Sequence, residues 1–257
     1  MLTRTRWPYP RILAHRGAGV LAPENTLVAL RLAATFGFAG VEVDARLAAD
    51  DTPVLMHDAD VDRTTDGTGE VRGLDAGTLR KLDAGVWFGN EFAGEHVPTL
   101  DAAAALCRGQ GQWMNVEIKA EPGDEAEAGR HIASEVARLW SGTSPPPLLS
   151  SFSEAVLQAA AHGAPELPRG LLFDDLPDDW IDRARALRCA SVHCRHDTLT
   201  AERIRAAHEA GLGVLAYTVN DTERALALFG AGVDALVTDE LREIRADFLA
   251  LYSPAPR

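Results

Sequence analysis

The chain is poor in cysteine, short of positive charge and free of long apolar runs. Three cysteines in 257 residues, Cys107, Cys189 and Cys194, form no even-numbered framework. That composition excludes a disulfide scaffold and leads us to expect a reducing, cytoplasmic compartment. Lys and Arg number 25 against 38 Asp and Glu, giving a formal net charge of −13. A chain this acidic is not expected to bind nucleic acid or to hold stably to an anionic membrane. No stretch of about 18 apolar residues occurs, so no transmembrane helix is expected. Residues 1–10 carry Arg4, Arg6 and two prolines and lack the apolar core of a secretory leader. There is no internal repeat. Nothing in the composition bears on oligomeric state.

Hydrophobic residues make up 46% of the chain and charged residues 25%. A sizeable core is therefore possible, and disorder is expected only in the tail 253–257. The length suits a single domain spanning 1–257, and a (β/α)₈ barrel takes about 250 residues.

Short apolar runs alternate with helical patterns. Strands are expected at residues 12–14, 41–44, 54–57, 115–119, 148–152, 170–173, 191–193, 214–219 and 235–239. Helices are expected at 26–36, 101–109, 125–140, 153–161, 180–187, 201–210 and 222–229. Such alternation implies a parallel sheet with crossover helices. Nine strands are one too many for an eight-stranded barrel. The link between the second and third runs is too short for a parallel crossover, so these two form a hairpin. The fold expected is an α/β TIM (β/α)₈ barrel with an extra antiparallel strand and a small insertion at about 59–100. Centring the turn between Asp50 and Asp51 puts Asp44 opposite His57. Asn25 can cap the helix that starts at Thr26, Gly37 can end it, and Thr200 and Gly211 can bracket the helix at 201–210.

The polar residues concentrate at strand ends, the end of such a barrel that carries its active site. Glu42 and Asp44 share one face by the period of two, as do Glu117 and Lys119. The outer face packs on helices and would exclude charge, so the inner mouth is favoured. Three carboxylates gathered there would repel one another without a cation, and hard oxygen ligands suit Mg²⁺ or Ca²⁺. The alternative is that the acids form salt bridges to Arg16 and Lys119. By charge count, three carboxylates, Arg16 and Lys119 sum to −1, and a divalent ion brings the site to about +1, which matches a phosphodiester monoanion. His15 and His57 are the natural proton handlers, with ordinary pKa values near ~6.5. His193, Cys194 and His196 lack the second ligand pair of a zinc site and read as a strand end. Asp62, Asp66 and Glu70 lack EF-hand spacing. The tryptophans read as packing, Trp87 excepted.

Several runs resemble one known family. Ala14-His15-Arg16-Gly17 followed by Pro23-Glu24-Asn25-Thr26 is similar to the opening signature of the glycerophosphodiester phosphodiesterases. The resemblance continues through Glu42-Val43-Asp44, Met56-His57-Asp58, Arg63-Thr64-Thr65-Asp66-Gly67, Glu117-Ile118-Lys119, Tyr217-Thr218-Val219-Asn220 and Thr238-Asp239, across nearly the whole chain. The opening Trp7-Pro8-Tyr9-Pro10-Arg11 further resembles the cytoplasmic bacterial branch linked to glycerol 3-phosphate uptake. The resemblance implies hydrolysis of a glycerophosphodiester to sn-glycerol 3-phosphate and an alcohol. It implies His15 and His57 as general base and acid, in an order left open, and Glu42, Asp44 and Glu117 as ligands of one Mg²⁺ or Ca²⁺. It also implies that Arg16 and Lys119 hold phosphate oxygens, that Tyr217 stands beside the glycerol, and that a substrate hydroxyl attacks first to give a cyclic phosphate. A lysophospholipase D or a silent binder of the same diesters are the rival readings. Departures from the usual pattern are Tyr217 for Trp, Asp51 for Gly at the hairpin turn, and Ala235 for Gly.

Overall fold

The computed structural model describes residues 7–252. The expectations for residues 1–6 and for the tail at 253–257 lie outside them. Nine strands occur among the described residues: β1 (Ile12–Ala14), β2 (Gly40–Leu47), β3 (Pro53–Leu55), β4 (Trp113–Ile118), β5 (Leu148–Ser151), β6 (Arg169–Phe173), β7 (Ser191–Arg195), β8 (Gly213–Tyr217) and β9 (Ala235–Thr238). The helices are α1 (Leu27–Thr35), α2 (Ala76–Leu79), α3 (Leu100–Gln110), α4 (Glu125–Leu139), α5 (Glu154–Gly163), α6 (Trp180–Ala186), α7 (Ala201–Glu209), α8 (Thr222–Ala231) and α9 (Phe248–Tyr252). All strands but β3 pair in parallel, in the order β1-β2-β4-β5-β6-β7-β8-β9, and β9 returns to β1. The sheet is a closed TIM barrel, as the alternation predicts. No helix among the described residues is long and apolar enough to cross a membrane.

Strand parity divides the side chains into two cores. Val41, Val43, Val116, Ile118, Val192, Val214, Ala216 and Leu236 face outward into the main core with the helices. Leu13, Trp113, Leu148, Leu215, Ala235 and Val237 face inward and fill the lumen. At the N-terminal end of the barrel Tyr9 stacks on Trp113 at 4.5 Å, and Trp7 packs edge-on against Tyr9 at 4.9 Å. These rings plug one end of the barrel, so chemistry is confined to the other.

β3 runs antiparallel to β2 and pairs only with Ala45–Leu47, beyond the point where β1 leaves that edge. The hairpin therefore stands above the mouth. Its register differs by one residue from the expected one. Ala45 pairs with Leu55, and Met56 donates to the Asp44 carbonyl, so Met56 and not His57 lies opposite Asp44. The cause is a three-residue loop, 49–51, in which Ala48 N–H bonds the Thr52 carbonyl. Such loops need their last residue left-handed, and Asp51 takes φ +61°. The insertion builds its own small core from Val54, Met56, Val61, Val71, Ala76, Leu79, Ala84 and Val97, with α2 as its one α-helix among the described residues.

Of four local expectations at helix ends, one changed and three held. Thr26, not Asn25, caps α1, its hydroxyl accepting from Ala29 N–H; the Asn25 side chain is engaged elsewhere. Gly37, Thr200 and Gly211 stand where the stops and starts were read. Gly19 has φ +54°, and a Cβ there would fall 2.1 Å from the Asp239 carbonyl oxygen. Only glycine lets the loop after β1 press so closely on the end of β9.

Candidate active site

Glu42 and Asp44 project inward from β2, and Glu117 projects inward from the neighbouring β4, where Asp44 pairs with Glu117. One oxygen from each of the three lies within 4.8 Å of the others. All three are buried, at 5%, 1% and 8% exposure. Asp44 is the most compensated: Lys119 Nζ and Arg16 Nε each approach it at 3.3 Å. Lys119 also reaches Glu117 at 2.5 Å. Among the described residues Glu42 has only the Arg16 backbone N–H at 3.3 Å and the His15 ring at 3.8 Å. The anticipated salt bridges therefore exist, but they leave one carboxylate unmatched.

Charge states follow from that inequality. Burial pushes Asp44 up, but Lys119, Arg16 and His57 outweigh it and hold it down at about 2. Burial, then repulsion from Asp44, lift Glu42 to about 8 and Glu117 to about 7. As it stands, the cluster retains a proton near neutral pH. Hard oxygen donors, close spacing and a surplus of negative charge are what a divalent cation would fit. Glu42, Asp44 and Glu117 are the residues able to hold one.

The two imidazoles differ in how their carboxylate partners are used. His15 Nδ1 lies 2.6 Å from Asp239 Oδ1, while Asp239 Oδ2 accepts from the neutral Asn220 amide at 2.9 Å. His57 Nδ1 lies 2.7 Å from Asp58 Oδ1, but Asp58 Oδ2 is bound by Arg63 Nε at 2.6 Å. His15 thus shares its carboxylate only with a neutral amide, and His57 shares its own with a guanidinium. Burial pulls His15 down, yet the Asp239 bond, Glu42 and the Asp239 charge carry it above its ordinary value. Burial wins at His57, which Arg16 and Lys119 also oppose, and its pKa falls.

Arg16 is anchored from behind. Its Nη1 donates to Glu24 Oε1 at 2.8 Å, and Arg63 binds both Glu24 oxygens at 2.8 Å. Arg16 itself takes φ +50°, a left-handed conformation that costs a bulky residue free energy and is met at functional sites. Tyr217 lines the cavity with its ring, edge-on to Phe152 at 6.0 Å, while its hydroxyl donates to the Phe173 carbonyl at 2.9 Å. The cavity, about 330 Å³ with its open mouth included, is lined by inward residues of β2, β4, β5, β6, β7, β8 and β9 together with His15.

His193 and Cys194 part company by strand parity, which removes them as a zinc pair: His193 faces the lumen and Cys194 the outer core. The sequence did not reveal the roles of Asn25, Glu24, Asp58, Arg63 and Asp239. Asn25 Nδ2 donates to Asp44 Oδ2 at 2.9 Å, and Asp44 N–H donates to Asn25 Oδ1 at 3.1 Å. The period of two on β9 would have found Asp239, since Ala235 and Val237 already face inward. Nothing local signals Asn25. Its φ of +57° suits asparagine better than most residues. Asn25→Ala should therefore lower stability by about 2–4 kcal/mol in urea unfolding, part from the backbone and part from the buried carboxylate left underbonded. Asn25→Gly should recover only the backbone part.

A barrel mouth with a carboxylate triad, Arg16, Lys119 and two carboxylate-tethered imidazoles gathers groups able to move protons and to neutralise an anionic ester. The chain belongs to the glycerophosphoryl diester phosphodiesterase family, whose signature matches residues 15–243. A glycerophosphodiester phosphodiesterase of Caldanaerobacter subterraneus subsp. tengcongensis is 33% identical over 236 residues, spanning 89% of this chain and 93% of that one. An Oleispira antarctica phosphodiesterase solved in complex with the product sn-glycerol 3-phosphate superposes with a TM-score of 0.88 at 35% identity, covering 94% of this chain and 96% of that one. A glycerophosphodiester phosphodiesterase from Agrobacterium tumefaciens superposes with a TM-score of 0.76 at 30% identity, covering 94% and 99%. Glycerophosphodiester phosphodiesterase activity follows for this chain.

Proposed function

We propose that the chain hydrolyses glycerophosphodiesters to sn-glycerol 3-phosphate and an alcohol, with His57 as the initial base, His15 as the initial acid, and one Mg²⁺ or Ca²⁺ held by Glu42, Asp44 and Glu117. The observation that carries this is the convergence of the three buried carboxylates within 4.8 Å, with His15 at 3.8 Å from Glu42 and His57 within the field of Asp44. When bound, the ion would supply Lewis-acid stabilisation of phosphoryl charge. Arg16 and Lys119 lie where phosphate oxygens can displace them from Asp44, and they would neutralise the same charge. Neutral His57 takes the proton from the attacking hydroxyl, and protonated His15 gives one to the departing alkoxide. If the attacking hydroxyl belongs to the glycerol, a cyclic phosphate results. Water then opens it with the proton roles reversed, which returns both imidazoles to their starting states.

The test is release of glycerol 3-phosphate from glycerophosphocholine in a coupled assay. Absence of turnover with Mg²⁺ or Ca²⁺ supplied would refute the reading. A second reading, that the glycerol half carries an acyl chain as in a lysophospholipid, gains support from exposed apolar side chains: Val86 and Trp87 are 40% and 38% exposed, and Phe152, which lines the cavity, is 39% exposed. Parallel assays on glycerophosphocholine and lysophosphatidylcholine rank the two. A cytoplasmic site of action accords with three buried, free cysteines.

The two pKa directions fix the pH profile. The base must be neutral, and its pKa lies below the ordinary ~6.5, so the acid limb falls below that value. The acid must be protonated, and its pKa lies above, so the alkaline limb falls on the other side. Turnover should form a plateau between them. Asp239→Asn, which removes the carboxylate beside His15, should move the alkaline limb to lower pH and leave the acid limb in place.

A further inference from the structure

Below the carboxylates the lumen is polar where a barrel of this kind normally packs branched apolar side chains. Asn115, Ser150, Ser191 and His193 lie there at 2% exposure or less. Asn115 Nδ2 donates to Ser150 Oγ at 3.0 Å, and Ser191 Oγ meets His193 Nε2 at 3.0 Å. Asn115 Oδ1 has no hydrogen-bond partner among the described residues although it is fully buried, and Asn115 lines the cavity together with Ser150 and His193. Around these groups the wall is apolar, made of Leu172, Leu215 and Val237. Gly170 leaves the room that His193 fills, since a Cβ there would fall 2.3 Å from its Nε2. Burial keeps His193 neutral, its pKa pulled to about 3, so the floor carries no charge.

A buried amide oxygen left unbonded is unfavourable and is rarely kept without a use. Because Ser150 can donate or accept, the Asn115 amide offers one free polar end whichever way it turns, and a hydroxyl, which both donates and accepts, suits either. An alkyl chain or a quaternary ammonium would leave that end unpaired. We infer that Asn115, with Ser150 and His193, forms a floor that receives a free hydroxyl of the glycerol half, so the glycerol points down the barrel and the alcohol half faces the mouth. Asn115 is then a specificity-determining residue, selecting a polyol over an alkyl group of the same length. This inference rests on the proposed diesterase site and names its substrate orientation.

The experiment compares two ligands of equal length, sn-glycerol 3-phosphate and propyl phosphate, by calorimetry on the cation-loaded protein. Wild type should bind glycerol 3-phosphate more tightly. In Asn115→Leu its affinity should fall about tenfold, the size of one hydrogen bond, while propyl phosphate affinity holds. If that variant does not fold, Ser150→Ala, which frees the amide to turn away, should narrow the same gap. Equal losses for both ligands, or none, in a folded variant would overturn the inference and leave the diesterase reading intact. So would a loss of Mg²⁺ affinity with the glycerol preference unchanged, which would make Asn115 a cation ligand instead. Wild type that turns over no glycerophosphocholine and binds neither ligand would overturn both.

Discussion

His15→Ala and His57→Ala should each lower kcat by about 10²–10⁴-fold, with KM for the diester changed far less. Both imidazoles act on protons in flight, so their removal is felt in the transition state more than in binding. The double variant should lose less than the product of the two single losses, because each histidine depends on the other's protonation state. The leaving group separates the roles. A glycerol diester of p-nitrophenol expels a stable phenolate that needs no proton. On that substrate His15→Ala should recover much of its lost rate, while His57→Ala should not. Recovery in the His57 variant instead would reverse the assignment. The physical basis is the unequal sharing of carboxylates: Asp239 serves His15 with only a neutral amide as competitor, whereas Asp58 divides its charge with Arg63.

Removal of the divalent cation should abolish turnover, and Mg²⁺ or Ca²⁺ should restore it. Chelator-resistant activity would eliminate the cation from the proposal. Two ionised carboxylates no more than 4.8 Å apart repel by at least about 3 kcal/mol at an effective dielectric constant near 20, and Arg16 and Lys119 do not reach Glu42 as they reach Asp44. Cation binding should therefore raise the melting temperature by about 5–10 °C at a hundredfold excess over Kd. The gap should widen with pH. In the chelated protein Glu42 titrates near 8 rather than at 4.5, so between those values the folded state holds more protons than the unfolded one. Stability then falls as pH rises through that window. Bound cation takes the place of that proton, so the loaded protein should not show the same decline. Differential scanning at pH 5 and pH 8, with and without chelator, measures both effects. A gap that shrinks with pH would contradict the charge assignment.

Glu42→Gln offers a control on the same cluster. It removes the carboxylate whose charge is least compensated, so above the pH at which Glu42 ionises, about 8, the chelated variant should melt higher than chelated wild type, while turnover is lost. Stabilisation with loss of activity is the signature of a carboxylate kept for function rather than for folding.

Much of this site was legible before any coordinates. The barrel, the extra strand and the inward aim of Glu42, Asp44, Glu117 and Lys119 follow from strand alternation and from the shortness of the link at 48–52. Those are local properties. A period of two needs only neighbouring residues, and a five-residue link excludes a crossover whatever the rest of the chain does.

The hairpin register was less accessible, because one left-handed residue at Asp51 shifts every pair. The role of Asn25 was hidden for a related reason. Its neighbour Thr26 is an equally good cap, and which of the two caps α1 depends on whether a buried carboxylate stands within reach.

What the sequence alone determined is the set of residues that face the lumen and the chemistry their side chains permit. What the tertiary structure decided is their charge. Asp239 lies 224 positions from His15, and only barrel closure between β1 and β9 brings them together. Glu42 and Asp44 are two residues apart on one strand with the same functional group, yet one is held near 8 and the other near 2. That difference comes from distances to Arg16 and Lys119 and from burial. Electrostatic energy depends on separation in space and on the surrounding medium, and neither is written in the order of residues along the chain.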